Sequence, residues 1–108
     1  MNEFYAGQLV FSKAGHDKGQ LYVIIKVEKE YVYLVDGISK TSEKPKRKNR
    51  KHIQPVNYIL TDLADKLELN QKIENEEIKR AMKEYAAERK KIVRQNVQRP
   101  ENGSGIGG

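Results

Sequence analysis

Up to about residue 60 the chain alternates short apolar runs with polar interruptions; beyond it the apolar residues recur at helical spacing. Residues 8–12, Gln-Leu-Val-Phe-Ser, form a short β-rich run. Residues 20–28 hold Leu21, Tyr22, Val23, Ile24, Ile25 and Val27. That density predicts a strand buried on much of both faces. Residues 31–35, Tyr-Val-Tyr-Leu-Val, read as its hairpin partner across Glu28, Lys29 and Glu30. Asp36-Gly37 then matches a two-residue type I′ turn, which needs positive φ at both central positions. It predicts a shorter strand over Ile38 to Thr41. A last strand is expected near His52-Ile53-Gln54, ended by Pro55, which cannot donate a ladder hydrogen bond. Five short strands in so few residues predict a small, strongly bent barrel over residues 1–58.

Thr61 suits a helix N-cap, with Asp62 and Asp65 in the first turn and Leu63 and Leu67 on one face. Asn70-Gln71-Lys72 reads as a break. Asn75 is placed to cap a second helix, with Glu76 and Glu77 behind it. Ile78, Met82, Tyr85, Arg89 and Ile92 follow at spacings of four, three, four and three, a narrow stripe interrupted by Arg89. Arg89, Lys90, Lys91 and Arg94 crowd its far end. The expected architecture is therefore α+β overall, with a helical hairpin over 59–95 packed on the barrel. Residues 96–108, with Pro100 and a Gly/Ser-rich end, are expected to form a disordered tail.

Composition narrows the function classes. The 108 residues carry a formal net charge of +6 and 33% charged side chains, and the 37% hydrophobic share implies a small core. A positive balance attracts polyanions, although many soluble proteins share it. The absence of cysteine removes disulfides, thiolate metal sites and cysteine nucleophiles. No apolar run approaches the ~20 residues of a membrane span, and no signal-peptide pattern opens the chain, so a cytoplasmic protein is expected. His16 and His52 are the only histidines, and no acids lie at a spacing that would complete a metal site with them. No Walker loop, dinucleotide fingerprint or zinc spacing is present. No enzyme, cofactor or metal is expected.

Two segments remain as candidate chemistry. The loop Ser12 to Gly19 holds Lys13, Gly15, His16, Lys18 and Gly19 between two strands. Glycines permit close backbone approach, and exposed N–H groups in such a bend can hold phosphate. Taken alone, its composition favours an ordinary hairpin turn with solvated lysines. The second segment is Lys44 to His52, in which five of the six residues from Lys46 to Lys51 are cationic: Lys46, Arg47, Lys48, Arg50 and Lys51. Neighbouring cations repel one another in a solvated loop, whereas beside a phosphate chain they gain attraction and counterion release. A solvated loop or a targeting signal would have the same composition. Tyr31 and Tyr33 share one strand face and could form a stacking pair. The other tyrosines fit the role of capping a small core with their hydroxyls in water.

The pattern Gly7-x-x-Val10-x-Ser12-x-x-Gly15-x-Asp17-x-Gly19, followed by Tyr22-Val23-Ile24 and Leu34-Val35-Asp36-Gly37, resembles a KOW motif. Pro45-Lys46-x-Lys48-Asn49-x-Lys51-His52 and Asn75-x-Glu77-Ile78 are also similar to bacterial KOW domain-containing RNA-binding proteins. These in turn resemble KOW-bearing large-subunit ribosomal proteins of archaea and eukaryotes. The resemblance covers about residues 5–85. It implies an SH3-like barrel, RNA as ligand with ribosomal RNA or the ribosome as the leading candidate, and no catalysis. Carried over, Gly15 and Gly19 shape the RNA-facing loop, and Lys13, His16 and Lys18 contact RNA. Lys46, Lys48, Lys51 and His52 match the family's basic run, to which Lys44, Arg47 and Arg50 add charge. The expectation is a protein monomeric when free that docks on structured RNA. The rival is a module whose helical hairpin docks RNA polymerase or a ribosome-associated factor; apolar residues left exposed at Met82, Tyr85 and Ile92 would favour it. SH3-like barrels also bind proteins, so fold alone does not decide between them.

Overall fold

In the computed structural model, residues 3–98 are described, with side chains through Arg89. Five strands, β1 (Gln8–Ser12), β2 (Leu21–Val27), β3 (Tyr31–Val35), β4 (Lys46–Asn49) and β5 (Ile53–Ile59), form one antiparallel sheet in the order β4-β3-β2-β1-β5. A single 3-10 turn, Arg50–His52, joins β4 to β5. Two helices follow, α1 (Thr61–Glu68) and α2 (Asn75–Gln98). The α+β class is as expected.

The sheet is strongly curled. Its outermost strands, β4 and β5, are linked by only three residues. In a flat sheet they would lie about 19 Å apart at roughly 4.8 Å per strand. Four residue steps span at most about 14 Å. The edges approach at this corner, but β4 and β5 do not pair and the sheet stays open.

Period-two alternation divides the apolar residues between its faces. Val10, Tyr22, Ile24, Val32, Leu34 and Ile53 form one buried cluster, with Phe4 and Val27 packed against it. Among the described residues no helix side chain joins this cluster, and the curl of the sheet buries it. Leu9, Val23 and Val35 point the other way and share a second cluster with Leu60, Leu63, Ile73 and Ile78 from the helical part. The strand over 20–28 is thus buried on both faces, as its composition predicted. α1 and α2 are tied by Lys66 and Glu77, which form an ion pair.

Several local expectations are corrected. Asp36-Gly37 is not a type I′ turn, since only Gly37 has positive φ (+80°). The Asp36 carboxylate instead accepts from the Ile38 and Lys40 N–H groups and the Ser39 hydroxyl. These bonds hold a wide loop where a strand over Ile38 to Thr41 was expected, and the fourth strand is the basic segment Lys46–Asn49. Pro55 lies inside β5 rather than ending it, tolerated because β5 is an edge strand with a register shift beside it. β5 therefore passes the expected boundary at 58. Leu60, not Thr61, occupies the α1 N-cap, without a side-chain cap, because its side chain is in the core. Asn75 does not cap α2. Its amide accepts from Ser42 N–H and donates to Glu43, fastening the 36–45 loop, while Glu77 accepts from Glu74 N–H. α2 continues past the expected end at 95. The expected tail from 99 onward, and the side chains of Lys90, Lys91, Ile92 and Arg94, lie outside the described residues.

Ile78 is fully buried where α2 meets β1, β2 and β3. Ile78→Ala is expected to destabilise the fold by about 3 kcal/mol, with sheet and helix signals lost in one urea transition. Circular dichroism and tyrosine fluorescence, followed together, check this.

Candidate nucleic-acid interface

The loop between β1 and β2 is built around Asp17. Within it, Gly19 N–H donates to Ser12 C=O, Lys18 N–H to Gly15 C=O and Gln20 N–H to Asp17 C=O. Gly15 and Gly19 take φ of +87° and +88°, and an added Cβ at either would meet nothing closer than 3.6 Å, so backbone conformation rather than space calls for glycine there. This folds the Asp17 carboxylate back over the strands. It accepts from the Ser12 hydroxyl at 2.9 Å, the Tyr22 hydroxyl at 2.9 Å and the Lys48 ammonium at 2.7 Å, and Lys46 Nζ lies 3.2 Å away. Lys48 Nζ also donates to Ala14 C=O at 2.8 Å. These groups come from β1, β2 and β4, and all sit on the face of the sheet that carries the cluster of Val10 and Tyr22.

Burial alone would raise the Asp17 pKa, but hydrogen bonds from Lys48, Ser12, Tyr22 and Lys46 outweigh it and hold the carboxyl well below the ordinary range. Burial, followed by the adjacent Asp17 carboxylate, pushes the Tyr22 hydroxyl up. Tyr22 therefore caps the core with its hydroxyl bound inside the protein, not in water as expected for most of the tyrosines.

The basic run is divided by the pleat of β4. Lys46 and Lys48 point toward the loop; Lys48 is 10% exposed and Lys46 32%. Lys48 is thus a structural cation, its charge committed to Asp17. Arg47 projects from the opposite face, exposed, with its guanidinium carbon 4.4 Å from the Tyr31 ring centroid. Arg50 turns back to donate to the Glu28 and Lys29 carbonyls and lies over Phe4, pinning the β2–β3 turn. Lys44, Lys51 and His52 are exposed, as are Lys13, Gly15, His16, Lys18 and Gly19. Lys13 N–H donates to His52 C=O at 2.8 Å, so the loop and the 3-10 turn are joined as well.

The structure thus brings the loop, Lys46, Lys48 and His52 together, and separates Arg47 and Arg50 from them. Sequence reasoning assigned no role to Asp17 or Ser12, although both stand in the quoted motif. The available signal was one acid flanked by glycines and facing an excess of lysines. Among the described residues, no group of three His, Cys, Asp or Glu side chains is placed to hold a metal ion, and no helix is long and apolar enough to cross a membrane. No family model and no curated protein matches the chain.

Asp17→Asn is expected to cost about 2–4 kcal/mol, because Lys48 keeps its buried charge and loses its counter-ion. Since the folded pKa is depressed, the stabilisation is complete above the ordinary aspartate value of 3.8 and is lost as pH falls below it. The gap between wild type and variant should accordingly be full at pH 6 and shrink below about pH 4 in urea titrations.

Proposed function

We propose that this chain is a non-enzymatic RNA-binding protein that docks on structured RNA, with ribosomal RNA as the first candidate. The curled sheet, with its single-turn link between edge strands, is read here as an SH3-like barrel of the KOW type. One observation carries the functional reading. Asp17 and the Lys13–His52 hydrogen bond fasten the 12–19 loop to the basic segment, along the rim that holds Lys13, His16, Lys18, Lys51 and His52.

Cations held on a rigid rim lose little further entropy when they meet phosphates. Their affinity comes from direct attraction and counterion release, with little reading of base identity, as suits an A-form helix recognised by shape and backbone. Lys46, one-third exposed, can add to this rim, whereas Lys48 serves it by fixing the loop. Apolar residues left exposed on α2 would favour the rival reading, in which the helical hairpin docks a protein. Met82 and Tyr85 are partly buried against the core, with the Tyr85 ring 4.8 Å from Tyr58, so these two residues do not favour that reading.

The test is binding to an RNA hairpin by fluorescence anisotropy across a salt series. Lys13→Ala/Lys18→Ala/Lys51→Ala should weaken binding at least ~10-fold and flatten the log–log salt dependence by about one for each phosphate contact removed. Absence of binding at low salt, or an unchanged slope in the triple variant, would contradict the proposal.

A further inference from the structure

The other face of β4 carries a second kind of surface. Tyr31 and Tyr33 point outward on the face that holds Val35, but α2 covers only Val35. Both rings remain partly exposed. Each has a cation against it: Arg47 over Tyr31 at 4.4 Å, and Lys26 over Tyr33 at 5.4 Å. The register places Lys26 directly opposite Tyr33, whereas Arg47, opposite Tyr33 on the other side, reaches diagonally along β3 to Tyr31. Lys26 also reaches Glu28 at 3.5 Å, and the Tyr33 hydroxyl donates to Glu28 at 3.2 Å. Among the described residues, no carboxylate pairs with Arg47.

We propose that this face holds one unpaired nucleotide of the bound RNA, its base against the Tyr31–Arg47 stack and its phosphate between Arg47 and Lys26. The inference rests on the RNA-binding reading and adds the class of RNA element recognised: a bulge or a loop nucleotide beside a helix. Aromatic rings and guanidinium planes take the π-face of any extruded base, whereas a base inside a duplex has both faces covered. An exposed arginine held on a tyrosine is already ordered, so less freedom is lost on binding. The site lies close to the basic rim: β4 is an edge strand of four residues, and Lys46 and Lys48 on one face alternate with Arg47 on the other. RNA lying along the rim needs to send only one nucleotide around that edge.

Two RNA hairpins that differ by a single bulged adenine test the inference by fluorescence anisotropy. Wild type should bind the bulged hairpin about 10-fold more tightly. Tyr31→Leu and Arg47→Gln should each abolish that preference, with the affinity of Tyr31→Leu for the uninterrupted hairpin staying within about twofold, since a tyrosine makes no phosphate charge contact. Arg47 is exposed, so its variant keeps the test valid should Tyr31→Leu fail to fold. A 2-aminopurine at the bulge should be quenched by wild type and not by either variant. Equal wild-type affinity for the two hairpins, or a preference that survives both substitutions, would overturn this inference and leave the RNA-binding reading standing. Absence of binding to either hairpin at low salt would overturn both.

Discussion

Desolvating a carboxylate is costly, and in this fold Asp17 meets that cost with four donors drawn from three strands. The arrangement spans a gap that no backbone ladder bridges. β4 is bonded to β3 alone, yet Lys46 and Lys48 reach across the curled face to the β1–β2 loop. The burial of the Tyr22 hydroxyl and the close approach of the loop to β4 both depend on this contact, which works beside the loop's own backbone bonds and the β3–β4 ladder. A lone lysine pointing inward would be destabilising; with Asp17 and the Ala14 carbonyl it becomes a brace.

The same contact sorts the positive charge. A run of cations invites the view that all of them face a ligand, but a strand sends successive side chains to opposite sides. Lys48 is committed within the protein, and Arg50 is committed to the β2–β3 turn. Arg47 stands on a tyrosine, and the remaining exposed cations flank the loop. The surface offered to a polyanion is therefore smaller and better ordered than the composition suggests.

The first three strands, the β2–β3 hairpin and the break near Asn70 were legible because alternation and turn chemistry agreed there. The fourth strand was not. Lys46–Asn49 has neither apolar alternation nor β-branched residues, and is a strand through its pairing with β3 and the Asp17 brace. Asp36-Gly37 misled because the Asp36 carboxylate bonds its own following backbone and opens a wide loop, whose far end Asn75 holds through Ser42. Asn75 and Thr61 suit caps by residue type, but Asn75 is engaged by Ser42 and Glu43, and the buried Leu60 takes the α1 N-cap position. At the candidate site, both cationic segments are legible in the sequence as separate candidates. The identity of the joining residue is not, since Asp17 and Lys48 are 31 positions apart and only the fold brings them together.

On the proposed function, the braced rim and not the helical face meets RNA. Amide chemical-shift mapping of the isotope-labelled protein with a short RNA hairpin addresses this directly. Shifts should concentrate at Lys13, His16 to Gly19, Lys51 and His52, leaving Thr61 to Glu68 unperturbed. Shifts confined to the helices, or none at low salt, would contradict it.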